Sequence, residues 1–69
     1  MKTVRELQAE AMFSDTELAR AADVSLNSLR NLKNGISVRP AIAGKVLKAL
    51  SDKLGREISL RDVEGIVLK

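Results

Sequence analysis

The sequence of 69 residues contains no cysteine and no histidine. Without cysteine the chain has no disulfide, no thiolate metal site and no thiol nucleophile, and without histidine it lacks the commonest general base and metal ligand. It also has no tyrosine, few clustered carboxylates and no phosphate-binding glycine loop. We therefore predict that the protein is not an enzyme and that it holds no cofactor, no metal and no small-molecule ligand.

Long apolar runs, aromatic residues and helix-breaking residues are also scarce. No run of apolar residues is long enough for a membrane span or a signal-peptide core, which predicts a cytoplasmic protein with no membrane partner. Phe13 is the single aromatic residue, and there are only four glycines and one proline. A core of leucine, alanine, valine and isoleucine favours an all-α fold, a compact bundle of about five short helices in a single domain of residues 1–69.

Acidic residues are missing from the middle of the chain. The net charge is only +3, yet all nine acids lie outside residues 24–51. That interval holds five cations, Arg30, Lys33, Arg39, Lys45 and Lys48. A block of one sign on a balanced chain is typical of a protein that binds a polyanion, and the alternative is a basic face that is only solvated.

Residues 15–35 carry the pattern of two short helices joined by a sharp turn. Ser14 and Glu17 form a capping-box signature, which predicts a helix that begins at about Asp15. Leu18 and Ala22 lie at helical spacing on its apolar face. Asp23 is expected to end the helix, because aspartate tolerates the left-handed conformation of a tight exit better than most residues.

A second helix of this pair is predicted to begin after Ser25, a favourable N-cap residue. Leu29 and Leu32 are expected to face inward, and Gly35 is expected to end the helix with a positive φ. The outward positions carry amides, hydroxyls and cations but no carboxylate. Such a surface suits the major groove of DNA, where base edges offer donors and acceptors and the flanking backbone offers phosphates.

Three more helices are expected around this pair. Thr3 caps a first helix within residues 1–13, whose apolar face is Val4, Leu7, Ala11 and Met12. Pro40 suits the first position of a long helix over residues 40–54, which Gly55 ends. Ser59 and Asp62 predict a short fifth helix that buries Leu60 and Val63.

From about Thr16 to Leu50 the chain resembles the helix-turn-helix of the lambdoid phage repressor and Cro proteins, the XRE-type regulators. The resemblance is carried by Leu18-Ala19-Arg20-Ala21-Ala22-Asp23-Val24-Ser25, by Leu29 and Leu32, and by Asn34-Gly35. Asn34-Gly35 followed by Arg39-Pro40 is similar to the 434-like branch. The resemblance implies a lambda-repressor-like fold, and a homodimer that docks the helix of residues 25–34 in the major groove of a palindromic operator on double-stranded DNA.

The resemblance also assigns roles to individual residues. It implies contacts with bases for Leu26, Asn27, Ser28 and Asn31. It implies contacts with phosphates for Thr16, Arg30, Lys33, Arg39 and Lys45. The base assignments have alternatives. Leu26 contacts a thymine methyl group or turns into the core, and Asn27 and Ser28 each contact a base or cap the start of the helix. For Asn31 the alternative is exposure to solvent alone.

The sequence departs from this family at three places. Many relatives begin the first helix of the motif with glutamine, where this chain has Asp15-Thr16. A carboxylate would repel a phosphate, so Asp15 is expected to point away or to form part of the helix cap, while Thr16 donates to phosphate instead. Asp23 replaces the usual glycine, and no arginine or glutamine occupies the first base-contacting positions, which favours a half-site rich in A·T pairs.

The dimer contact is predicted within the last residues, at Ile58, Ile66 and Leu68. Two alternatives to a complete, Cro-like repressor remain open. In the first alternative, the chain is the detached DNA-binding domain of a longer repressor. In the second, it uses the same fold as a protein-interaction module of the antitoxin or anti-repressor type.

Overall fold

The computed structural model describes all residues from Met1 to Lys69. Four α-helices form the body of the molecule, and two very short strands join the ends of the chain. In chain order the elements are β1 (Lys2–Thr3), α1 (Val4–Glu10), α2 (Asp15–Ala22), α3 (Leu26–Lys33), α4 (Pro40–Leu54) and β2 (Val63–Glu64). No helix is long and apolar enough to cross a membrane.

The first three helices begin at the predicted caps. The hydroxyls of Thr3 and Ser14 accept hydrogen bonds from the backbone N–H groups of Glu6 and Glu17, and both glutamates accept the cap N–H in return. The hydroxyl of Ser25 accepts from the N–H of Ser28 at the start of α3. These short-range bonds satisfy N–H groups that a helix leaves free, which explains why the helix starts could be predicted from sequence.

The turn between α2 and α3 depends on Asp23. This residue adopts φ 57° and ψ 48°, the left-handed conformation predicted for it, and its N–H bonds back into the last turn of α2. Val24 lies half-buried in the turn and packs against the core. The chain thus reverses between the two helices within three residues, which places α3 on the surface with its leucines inward.

The core lies where α2, α3 and α4 meet, and α2 packs most extensively on α4. Leu18, Leu29, Leu32, Val46 and Leu50 are its largest fully buried side chains. The leucines of α3 are three residues apart, so that only one side of this helix is buried. The opposite side is left to solvent.

The two strands were not predicted. Lys2 pairs with Val63 and Thr3 with Glu64 in a parallel register, and a further parallel bridge joins Val38 to Leu68. Strands of two residues are too short to show an alternating pattern. They depend on contacts between residues far apart in the sequence, which no local signal records.

The predicted fifth helix is wrong, because only a single 3₁₀ turn forms at Leu60–Asp62. The carboxylate of Asp62 accepts from both the N–H and the hydroxyl of Ser59, as in a helix start. The backbone of Val63 is extended and pairs with β1, so the chain does not continue into a further helical turn. Val63 is buried as predicted, whereas Leu60 is exposed.

Met12 also differs from its prediction as part of the apolar face of α1. The helix ends at Glu10, and Met12 adopts a positive φ with a side chain that is 86% exposed. Val4, Leu7 and Ala11 are buried as predicted. The chain must turn sharply after Ala11 to place Ser14 at the start of α2, and Met12 lies in that turn.

Candidate nucleic-acid interface

The outer face of α3 presents three of the predicted contact residues. Asn27 and Arg30 are exposed and Asn31 is half-buried, and none of the three side chains forms a hydrogen bond within the chain. Asn27 and Asn31 are four residues apart, so they lie on one stripe of the helix. An amide can donate and accept at once, so this stripe is chemically suited to base edges.

Ser28 and Leu26 take partly internal positions. The hydroxyl of Ser28 accepts a hydrogen bond of 2.9 Å from the hydroxyl of Ser25, which makes Ser28 part of the helix start. Leu26 is half-buried and packs against the core. This contact with the core agrees with the alternative in which Leu26 turns inward.

Four of the five residues assigned to phosphates are exposed. Thr16 lies in the first turn of α2, Arg30 on α3, Arg39 just before α4, and Lys45 on α4. None of the three cations in this set forms a salt bridge. Their charges are therefore free to meet an anion from outside.

Lys33 departs from the prediction that it binds phosphate. Its side chain is only 8% exposed, and its ammonium forms a salt bridge and hydrogen bond with Asp15. A cation held beneath the surface by its own carboxylate partner is not available to a phosphate. The structure thus corrects the assignment: Lys33 joins α3 to the start of α2.

Gln8 completes this polar group and was not predicted. It is buried in α1, and its side-chain N–H group donates to the carboxylate of Asp15 at 2.7 Å and to the carbonyl of Phe13 at 3.2 Å. The hydrogen bond from Gln8 and then that from Lys33 lower the pKa of Asp15. The carboxylate accepts from both side chains and so ties α1, α2 and α3 together.

A sequence signal for Gln8 does exist. The residue lies four positions after Val4 and three before Ala11, which places it on the buried face of α1. A polar residue on such a face needs an internal partner. Arg5, also on α1, was missed as well: its guanidinium donates to the side-chain oxygen of Asn34 at 2.7 Å and so ties α1 to the end of α3.

Most acidic groups that form ion pairs lie away from the motif. Glu10 accepts from Arg56 at 2.8 Å and from Lys2 at 2.7 Å, and these two cations lower the pKa of its carboxyl group to about 2. Lys48 and Asp52 form a long, exposed pair on α4. Lys2, Lys48 and Arg56 thus have carboxylate partners, whereas Arg30 and Arg39 have none.

The residues predicted to form a dimer contact differ in exposure. Ile58 is only 8% exposed and belongs to the core, so it offers little side-chain surface to a second copy, which corrects that prediction. Ile66 is half-buried against the core. Leu68 is exposed and, with Leu60, borders an open groove of about 750 Å³ along α4.

A comparison of this chain with protein families, with curated proteins and with solved structures finds no match.

Proposed function

We propose that the protein is a sequence-specific DNA-binding regulator with a lambda-repressor-like fold, and that it acts without enzymatic activity as a repressor. The observation that carries the proposal is the outer face of α3, where Asn27, Arg30 and Asn31 have no partner within the chain and no carboxylate lies among them. A helix of this kind fits the major groove, which is wide enough to admit it.

In the proposed complex the residues divide into two groups. Asn27 and Asn31 contact base edges, and each asparagine is suited to pair in a bidentate way with adenine. Arg30, Arg39, Lys45 and Thr16 contact the DNA backbone, which fixes the register of α3 without reading sequence. Lys33 has no direct contact with DNA and instead braces α3 through Asp15.

A homodimer on an inverted repeat is part of the proposal. One helix offers few base contacts, and two copies related by a two-fold axis double them on a palindromic site. Leu60 and Leu68 are the exposed apolar side chains at the groove along α4 that a second copy can cover. Repression then follows from occupation of the operator.

Titration of fluorescent duplex DNA at two salt concentrations tests the proposal. DNA binding weakens with salt by about 0.9 in log K per phosphate contact for each unit of log salt concentration. Arg39→Ala is expected to lower that slope by about 0.9 and to weaken all DNA sequences alike, by about fivefold near 0.15 M salt. The matched control is Arg61→Ala, which removes the same charge outside the motif. Absence of salt-dependent binding by the wild-type protein would refute the proposal.

Selection of bound sequences from a random DNA pool tests the base contacts. Asn27→Ala is expected to cost about 1–3 kcal/mol on the selected site and to relax the preference at one base pair. An unaltered preference would show that α3 does not enter the groove as proposed.

A second candidate function is a protein-interaction module, which the groove along α4 favours. Gly44 lies in this groove with nothing near the position of a β-carbon, and Leu60 and Leu68 are exposed beside it. An apolar interface of this kind predicts binding to a protein that changes little with salt, and no affinity for duplex DNA.

A further inference from the structure

The loop between α3 and α4 has one buried residue. After Gly35 the chain runs through Ile36 and Ser37 to Val38, which is only 5% exposed and belongs to the core. The next residue, Arg39, is exposed and caps α4 without using its side chain. The carbonyl of Arg39 accepts hydrogen bonds from the N–H groups of Ile42 and Ala43, so its backbone is held by α4 on one side and by Val38 on the other.

Val38 is held by the last residues of the chain. Its N–H donates to the carbonyl of Val67 at 2.9 Å, and its carbonyl accepts from the N–H of Lys69 at 2.9 Å. These two bonds form the parallel bridge between Val38 and Leu68. We call residues 65–69 the terminal strap.

The terminal strap is itself held at its start and at Ile66. β2 precedes it directly and pairs with β1, so its first residue follows an anchored strand. Ile66 packs against the core, and the carbonyl of Gly65 passes within 3.9 Å of the position that a β-carbon on Gly35 would take. The strap thus runs from the N-terminal strand, past the end of α3, to the loop before α4.

We infer that the terminal strap positions Arg39 for contact with a DNA phosphate. The inference rests on the proposed function and adds to it residues outside the helix-turn-helix. Fixing the backbone of a residue costs conformational entropy, and a loop that is already ordered before binding does not lose that entropy when it binds DNA. Both hydrogen-bonding groups of Val38 are engaged by the strap, so the residue before Arg39 is ordered in the free protein.

A purely structural role for the strap makes a different prediction. If Ile66 only closes the core, loss of the strap lowers the free energy of unfolding but leaves the DNA affinity of the folded protein unchanged. If the strap positions Arg39, loss of the bridge removes the phosphate contact of Arg39 even where the protein stays fully folded. The two roles are separated by measuring binding well below the unfolding temperature.

Lys69→Pro and Lys69→Ala form the matched pair for this test. Proline removes the N–H that donates to Val38, whereas alanine keeps that N–H and removes only the charged side chain. We expect Lys69→Pro to weaken binding to duplex DNA about fivefold near 0.15 M salt and to lower the salt slope by about 0.9, as loss of one phosphate contact does. Lys69→Ala is expected to lose less affinity than Lys69→Pro.

A double-mutant cycle shows whether the strap acts through Arg39. Once Arg39 is alanine, Lys69→Pro is expected to cause no further loss, because the contact it supports is already gone. Losses that add fully, or a Lys69→Pro protein that binds as tightly as wild type, would overturn the inference. Neither result affects the proposed function, which fails only if wild-type protein shows no salt-dependent binding to DNA.

A chain that ends after Gly65 provides the second variant. Its Val38 amide is expected to lose protection from hydrogen exchange while the amides of Leu29 and Leu50 keep theirs, and its DNA affinity is expected to fall as for Lys69→Pro. Leu54→Ala is the control for stability, since it removes a half-buried side chain at the far end of α4. Unchanged affinity of the shortened, folded chain would also contradict the inference.

Discussion

Arg30 and Lys33 lie almost one turn apart on α3, and their side chains have opposite surroundings. Arg30 is exposed and has no acidic partner, whereas the ammonium of Lys33 is covered and bound by Asp15. The charge of Lys33 is therefore compensated within the molecule by the carboxylate of Asp15. The outer face of α3 has no carboxylate of its own, and Lys33 neutralises the carboxylate of Asp15.

Asp15→Asn is expected to destabilise the protein. The change leaves the covered ammonium of Lys33 without a carboxylate, and such a loss costs about 1–2 kcal/mol here, because the 38% exposure of Asp15 allows water to replace part of the interaction. Lys33→Met is expected to cost less, since the remaining carboxylate reaches solvent. Urea unfolding of both variants gives the two free energies. A Lys33→Met protein that is the less stable of the two would contradict this account.

Glu10 is expected to make stability depend on pH in the acidic range. Its pKa is about 2 in the folded chain against 4.5 for the unperturbed group, because Arg56 and Lys2 donate to its carboxylate. A carboxyl group whose pKa is lower in the folded chain than in the unfolded chain stabilises the fold at every pH above its unfolded pKa. This contribution is lost as the pH falls from about 4.5 to about 2. Glu10→Gln should therefore lower the unfolding temperature at pH 7, and the difference from wild type should shrink towards pH 2. Glu57→Gln, which removes no ion pair, should show no such trend.

At the scale of elements, the sequence predicts those features that are determined by hydrogen bonds between residues close together in the chain. Thr3, Ser14 and Ser25 mark helix starts because a cap and its partner lie three residues apart. The strand pair and the bridge at Val38 escape prediction because their partners lie far along the chain. The same reason explains the missing fifth helix. The cap at Ser59 forms, but Val63 and Glu64 pair with β1 and so do not continue a helix. Lys33 was misassigned because its partner, Asp15, is close in space but distant in sequence.

Two glycines of the α4 region should respond in opposite ways to alanine. Gly44 lies inside the helix with nothing within 4 Å of a β-carbon position, so Gly44→Ala is expected to raise the free energy of unfolding by about 0.5–1 kcal/mol. Gly55 ends the helix with φ 70°, where an L side chain is strained, so Gly55→Ala is expected to lower it by about 1 kcal/mol. Thermal unfolding measures both. A Gly44→Ala protein less stable than wild type would show that this part of α4 is more crowded than the structure indicates.

At the scale of the whole molecule, size and charge distribution suit one turn of DNA per copy. The longest axis is 28 Å, and half-sites one helical turn apart are separated by about 34 Å. Two copies on adjacent turns of one face therefore lie close enough to touch once side chains are included. Arg30 and Arg39, on and beside α3, form no salt bridge, while Glu10, Lys2 and Arg56 compensate one another elsewhere.

The spacing between half-sites should then control affinity. Inserting about five base pairs turns the second half-site to the opposite face of the duplex, and inserting about ten restores the face but moves it a further 34 Å away. Because each copy is only 28 Å long, we expect both insertions to abolish contact between copies and to lower affinity to that of two independent half-sites. Titration of duplexes with the original and the two longer spacings measures this, and a duplex with a single half-site gives the independent value. If the site lengthened by about ten base pairs bound as tightly as the original, the copies would not touch on DNA, and the proposed homodimer would be wrong while the contacts of α3 could still hold.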